Sequence, residues 1–147
     1  MITIITIHDC ALYENFVSPR LCHDLTTFGL SHNTHYRWSI NGEDIKLDTC
    51  LFDHDGYYQK SMHLLDETNK PFIIPAYSIK DVEKALPYFL LTKNDRGYEI
   101  SLEKIFEVES KIALRMPDAM GALLLEAIKK NVVSLEKINH IIEKQAA

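Results

Sequence analysis

Histidine and aspartate residues between positions 32 and 63 are the side chains of this chain with the clearest capacity for chemistry. His32 and His35 are separated by two residues, and Asp53-His54-Asp55 follows further along the chain. Imidazole nitrogens and carboxylate oxygens are common ligands of zinc and other divalent metals. The sequence contains neither an HExxH pattern nor a CxxC pair, however, so we predict no metal site and no cofactor.

Sequence patterns for nucleophilic catalysis are also missing. There is no GxSxG, no GxxxxGK[ST] and no GxGxxG. His8-Asp9-Cys10 and Cys22-His23-Asp24 contain the residue types of a catalytic triad, but adjacent side chains point apart in a strand and lie about 100° apart on a helix. We therefore predict no catalytic residue and regard an enzyme as the less favoured interpretation.

Aromatic and basic side chains in the same region suit binding better than catalysis. Tyr57 and Tyr58 cannot both be buried in an extended segment, so at least one is expected to be available to a partner. With Arg37 they could form a surface on which a planar ring stacks. The candidate ligand-binding or partner-binding residues are His32, His35, Arg37, Asp53, His54, Asp55, Tyr57, Tyr58 and His63.

The charge of the chain is concentrated in this region. The formal net charge is −5, and residues 42–67 contain seven acidic and two basic residues, which accounts for all of it. The sequence therefore indicates an acidic insert at residues 48–69 in an otherwise neutral domain. A nucleic-acid partner is not expected, because proteins that bind nucleic acids contact many phosphates and carry an excess of basic residues. The negative electrostatic field of the insert suits a cation or a basic surface better than it suits a phosphate.

The cysteine content and the hydropathy of the chain indicate a cytoplasmic protein. The sequence has three cysteines, Cys10, Cys22 and Cys50, and no CxxC pair. An odd number of cysteines favours free thiols and a reducing compartment. The apolar start of the sequence is short and has no basic n-region, and no run approaches the roughly 20 apolar residues that cross a bilayer. We expect no membrane association.

A β-hairpin at residues 35–47 is the strongest local prediction. Asn41-Gly42 tolerates the positive φ angles of a type I′ turn and lies between two alternating segments. A two-residue turn at this position pairs Trp38 with Ile45 and Tyr36 with Leu47 on one face. A further strand is predicted at residues 2–7 and another at residues 72–77.

Apolar spacing and helix-start residues predict four helices. Ser18-Pro19 begins the first, and Ser78 with Asp81 resembles a capping box before the second, in which Pro87 should produce a kink or an end. Met116-Pro117-Asp118 begins the third and Ser134 caps the fourth. The predicted helices lie near residues 19–28, 79–90, 118–130 and 134–144.

Two alternating segments follow the turn at residues 94–97. Residues 98–102 and 105–114 alternate as strands do, although part of the second segment also fits one face of a helix. The expected fold is α+β, with a small antiparallel sheet that includes the hairpin and packs against the helices. We expect residues 1–147 to form one domain, in which residues 118–145 are a C-terminal helical pair.

Parts of the sequence resemble a group of small phage and prophage proteins of gut bacteria that have no assigned activity. The similarity lies in Phe16-Val17-Ser18-Pro19-Arg20-Leu21, in Ile74-Pro75-Ala76-Tyr77-Ser78-Ile79-Lys80-Asp81 and in Asp118-Ala119-Met120-Gly121-Ala122-Leu123. Three features of this chain differ from that group. The group has alanine-proline where this chain has Pro75-Ala76, and it has no counterpart of residues 48–69 or of the last helix. The resemblance implies an α+β fold and an accessory role.

Three functional hypotheses follow from the sequence. The first is a non-catalytic phage or prophage accessory protein that binds a host or phage protein in the host cytoplasm, as a homo-oligomer joined through its C-terminal helices. The second is a protein that binds or sequesters a small ligand such as a nucleotide or signal molecule. The third is a metal-dependent hydrolase or nuclease that uses His54 and Asp55.

Overall fold

The computed structural model describes residues 14–41, 44–49 and 72–146. The strand predicted at residues 2–7 and residues 50–69 of the acidic insert lie outside the described residues. Within the described part the α+β class is confirmed. One helix, three strands, one helix, three strands and two helices follow one another along the chain, and the strands form two three-stranded antiparallel sheets instead of the one sheet that the sequence predicted.

The first sheet contains the predicted hairpin. Strands β1 (Tyr36–Asn41), β2 (Asp44–Thr49) and β3 (Phe72–Ala76) pair antiparallel in the order β2-β1-β3. The predicted register of the hairpin was wrong by two residues along β2, because Trp38 pairs with Leu47 and Ile40 pairs with Ile45. A shift of two residues equals the side-chain period of a strand, so the residues expected to share a face still do.

Trp38 fixes the inner face of this sheet. Its side chain is fully buried, and its Nε1 donates a hydrogen bond to the backbone oxygen of Val17 at 3.0 Å. Arg37 and Ser39 alternate with it on the other face of β1 and are half-buried.

The second sheet consists of β4 (Phe89–Asn94), β5 (Gly97–Leu102) and β6 (Lys111–Ala113), antiparallel in the order β4-β5-β6. The predicted turn at residues 94–97 joins β4 and β5. Gly97 has φ +120°, and a Cβ there would lie 2.4 Å from the backbone oxygen of Ala113, so only glycine fits. The strand predicted at residues 98–102 is confirmed as β5.

Four helices pack against the sheets, close to the predicted positions. They are α1 (Pro19–Thr27), α2 (Ile79–Ala85), α3 (Met116–Lys129) and α4 (Leu135–Ala146). The predicted capping box before α2 is present, since Ser78 Oγ accepts from the Asp81 backbone N–H and an Asp81 carboxylate oxygen accepts from the Ser78 N–H. None of the described helices combines the length and the apolar character that crossing a bilayer requires.

Two predicted boundaries were wrong. The helix expected at residues 79–90 ends at Ala85, because Pro87 forces Leu86 into an extended conformation, and Phe89 already belongs to β4. The strand expected at residues 105–114 is reduced to the three residues of β6. The first part of the predicted segment forms a 3₁₀ turn at Lys104–Phe106. Glu107 follows with a left-handed φ of 55°, which cannot continue a strand.

One hydrophobic core connects these elements. Helix α3 packs against β5 and β6 on one side and against α1 and α2 on the other, while α1 also contacts β3. Buried members of the core come from both sheets and all four helices, including Trp38, Ile100, Leu123 and Ile138. Helices α1 and α3, which contact each other, therefore connect the two sheets, and each sheet has an inner and an outer face.

Candidate functional site

The structure describes three of the nine predicted site residues. His32, His35 and Arg37 lie on or near β1, whereas Asp53, His54, Asp55, Tyr57, Tyr58 and His63 lie outside the described residues. His32 is in the loop between α1 and β1, where partial burial of its ring lowers its pKa. Arg37 is on the outer face of β1, opposite Trp38.

His35 lies in a small cleft between the first sheet and α2. Its ring is exposed and contacts the ring of Tyr36 edge-on, with 4.9 Å between centroids, and Tyr36 contacts Phe16 in the same way at 4.9 Å. The cleft has a volume of about 220 Å³. We call it the His35 cleft, and its lining residues are Phe16, Thr34, His35, Tyr36, Ala76, Ser78, Lys80, Asp81 and Ile142.

The polar rim of the His35 cleft contains charges of both signs. Asp81 is half-buried, and the burial of its carboxyl raises its pKa, while hydrogen bonds with the Ser78 backbone and hydroxyl and the charge of Lys84 oppose the rise. Lys80 is its neighbour in sequence and is exposed. The lining also includes buried apolar residues, so the site combines apolar side chains with a cation and an acid.

A second cleft, of about 350 Å³, lies beside Arg115. The guanidinium donates to the backbone oxygen of Phe16 at 2.9 Å and to Asp118 Oδ2 at 3.0 Å, and Asp118 Oδ1 accepts from the Ser18 N–H at 2.8 Å. These contacts join the chain before α1 to the start of α3. The role that the structure shows for Arg115 is therefore to hold two distant segments together.

Cys22 is the cysteine that falls within the described residues, and it is a free, buried thiol. Its Sγ donates to the Val17 backbone oxygen at 3.3 Å, and burial raises the pKa of the thiol to about 12. Because the thiolate is the reactive form, this environment does not suit a nucleophile. The adjacent His23 is exposed, so the Cys22-His23-Asp24 run forms no compact triad.

The outer face and ends of the second sheet expose large apolar side chains that sequence reasoning missed. Leu90 is 60% exposed on β4 and Ile112 is 41% exposed on β6, and three more lie close by in the sequence. The alternation of β4 could have revealed its exposed face, but residues 88–90 were assigned to a helix that ends earlier. The exposed set is Tyr88, Leu90, Ile105, Ile112 and Leu114.

The sequence indicated the residues of the two clefts to different degrees. Asp81 was identified only as a cap, because the sequence does not show that β1 and Phe16 lie beside it. Asp118 was identified only at the start of the third helix and Arg115 not at all, since Ser18 and Phe16, which they contact, are about a hundred residues away.

The described ranges hold no group of three His, Cys, Asp or Glu side chains that could bind a metal ion. No family model matches the sequence, and neither a curated protein nor a solved structure matches it significantly.

Proposed function

We propose that the protein acts without catalysis by binding another protein through its second sheet, and that this partner is a second copy of the same chain. The distribution of exposed apolar side chains supports the proposal. Of the six large apolar residues that the described structure exposes, five fall between residues 88 and 114, in or beside the second sheet. The sixth is Phe28 at the end of α1.

Strand β4 gives this surface a specific way to associate. It is six residues long, lies at an edge of the sheet and has no strand on its other side among the described residues. Natural edge strands are protected by charges, prolines, bulges or short length, and β4 has one charged residue, Lys93. Two copies of β4 can pair antiparallel about a twofold axis, which would extend three strands to six.

The sequence predicted an oligomer joined through the C-terminal helices. In the structure, the apolar side chains of the last helix pack within the chain. Ile138 and Ile142 on α4 are buried within the chain itself, and α4 packs against α2. Their apolar stripe therefore needs no second subunit. For this reason the proposal places self-association on the second sheet.

The oligomeric state, measured by sedimentation velocity over a wide range of concentrations, tests this proposal. We expect a dimer that Leu90→Glu weakens by about tenfold or more, since a carboxylate cannot enter an apolar interface without a partner. Phe28→Glu is the matched control, because Phe28 is a comparably exposed apolar residue away from the second sheet. A monomer at every concentration, or equal effects of the two substitutions, would overturn the proposal.

The biological setting of this interaction rests on the sequence. The resemblance supports an accessory role in a phage or prophage genome with a host or phage protein as a further partner, and the free thiols support the host cytoplasm. A small-ligand function is a second candidate because of the His35 cleft, which has the mixed lining of a binding site.

A further inference from the structure

The His35 cleft is lined by a basic, an acidic and several apolar side chains. Lys80 and Asp81 are consecutive residues at the start of α2, and both line the cleft. Phe16, Tyr36 and Ile142 line it from other elements of the fold. A ligand that satisfies all of these groups needs an anionic end, a cationic end and an apolar body.

The size of the cleft limits the ligand. A volume of about 220 Å³ is below the 300 to 1,000 Å³ of typical sites for drug-sized molecules. It corresponds to the volume of about seven water molecules in the liquid. A nucleotide is too large for this space, and its phosphates would also approach the acidic side chain of Asp81.

The electrostatics favour a zwitterion over a simple anion or cation. Lys80 supplies an ammonium group that can bind a carboxylate, and the exposed His35 provides an imidazole on the same rim. The Asp81 carboxyl has a raised pKa because of burial, and an ammonium group beside it would stabilise its ionised form.

We infer that the His35 cleft binds a free α-amino acid with an aliphatic side chain, whose carboxylate contacts Lys80, whose ammonium contacts Asp81, and whose side chain packs against Phe16, Tyr36 and Ile142. This site is separate from the second sheet, so it can exist whether or not the protein dimerises. The protein would then respond to the supply of an amino acid in addition to binding a partner.

Titration of the full-length, isotope-labelled protein with three related compounds tests this inference by nuclear magnetic resonance. L-leucine has both charged groups, leucinamide lacks the carboxylate, and 4-methylpentanoate lacks the ammonium. We expect L-leucine to shift the resonances of cleft residues in a saturable way. Each analogue should bind about tenfold more weakly or worse, since each loses one charge-assisted contact.

Two substitutions assign the charges to residues. Lys80→Gln should weaken L-leucine and leave leucinamide binding unchanged, whereas Asp81→Asn should weaken L-leucine and leave 4-methylpentanoate binding unchanged. The amide oxygen of asparagine can still accept from the Ser78 N–H, and circular dichroism of each variant checks that it is folded. Lys104→Gln, an exposed lysine of the 3₁₀ turn that lies outside the cleft lining and is not among the charges that act on Asp81, is the matched control and should change nothing.

Three results would overturn the inference. One is the absence of saturable shifts with L-leucine in the native protein. Another is leucinamide or 4-methylpentanoate binding as tightly as L-leucine. The third is an equal effect of Lys104→Gln and Lys80→Gln, which would show that the effect of Lys80 is not specific to the cleft.

Discussion

Cys22 shows how strongly one residue depends on its surroundings. On α1 it is fully buried, and the oxygen that its thiol contacts, Val17 O, also accepts from Trp38 Nε1. Two donors on one carbonyl oxygen connect α1 to the first sheet. The sequence shows a cysteine beside a histidine and an aspartate, which invites a chemical role, but the structure gives it a packing role.

We expect Cys22 in the native protein to react with iodoacetamide at pH 8 more than about 100-fold slower than in urea, because the thiol is both buried and far from its pKa of about 12. Peptide mass spectrometry after timed labelling separates Cys22 from Cys10 and Cys50. Fast native labelling of Cys22 would contradict its burial.

The raised pKa of Cys22 also predicts a pH dependence of stability. The folded state holds the thiol proton more tightly than the unfolded state, so this contribution is fully present below the ordinary thiol pKa of 9.0 and is lost as the pH rises toward about 12. In Cys22→Ala this loss of unfolding free energy between pH 9 and 11 should be smaller than in the native protein, as urea titrations can measure.

Side chains with local partners could be predicted from the sequence, and side chains with distant partners could not. Ser78 and Asp81 are three residues apart, so their capping box follows from helix geometry alone. Asp118 accepts from the N–H of Ser18, a hundred residues earlier, and Arg115 donates to Phe16. No residue spacing indicates such contacts, because the global fold brings the segments together.

At the scale of elements, the close approach of α3 to the chain before α1 depends on Gly121. A Cβ at this position would lie 2.9 Å from Cγ1 of Val17, which is fully buried. Valine has little rotamer freedom, so it cannot easily move away. Glycine is therefore present in the middle of α3 for packing, although it costs the helix about 1 kcal/mol relative to alanine.

We expect Gly121→Ala to destabilise the native protein, because an overpacking cost of about 1–3 kcal/mol exceeds the gain of about 1 kcal/mol in helix propensity. In a Val17→Ala background the clash is gone, so the same substitution should become stabilising. A double-mutant cycle from urea unfolding measures this change of sign. An equal effect in both backgrounds would show that Val17 does not limit the approach.

Elements with strong end signals were predicted well, and elements that depend on context were not. Asn131, with a φ of 58°, follows the last residues of α3, and Gly29 follows α1 with φ 109°. In contrast, residues 105–114 alternate like one strand, but Glu107 adopts a left-handed conformation that only the surrounding structure can impose. The hairpin register was wrong because a shift of two residues leaves the same side chains on each face, so the apolar pattern does not distinguish the two registers.

At the scale of the whole molecule, the two sheets do not form one continuous sheet, and the helices connect them. The sequence indicated the α+β class from the order of its elements, but not the division into two sheets, since both arrangements bury the same alternating residues. Helix α3 contacts β5 and β6 as well as α1 and α2, and α1 contacts β3. A disturbance of the second sheet should therefore reach the first one through α3 and α1.

Trp38 provides a direct measurement of this coupling, because it is the one tryptophan of the sequence and is buried in the first sheet. If the chain is one domain, urea unfolding followed by Trp38 fluorescence and by far-ultraviolet circular dichroism should have the same midpoint. Ile100→Ala in the second sheet should lower both midpoints together, by an amount that corresponds to about 2–5 kcal/mol, since Ile100 is fully buried.

The matched control is Ile112→Ala in the neighbouring strand, where the side chain is 41% exposed and a change within about 0.5 kcal/mol is expected. Both variants are measured at protein concentrations too low for dimers, because self-association would add its own stabilisation. Ile100→Ala could instead lower the urea midpoint measured by circular dichroism and leave the midpoint measured by Trp38 fluorescence unchanged. That result would mean that the two sheets belong to separate cooperative units. Coincident shifts mean that α3 transmits stability across the molecule, so that any partner bound at the second sheet also stabilises the first.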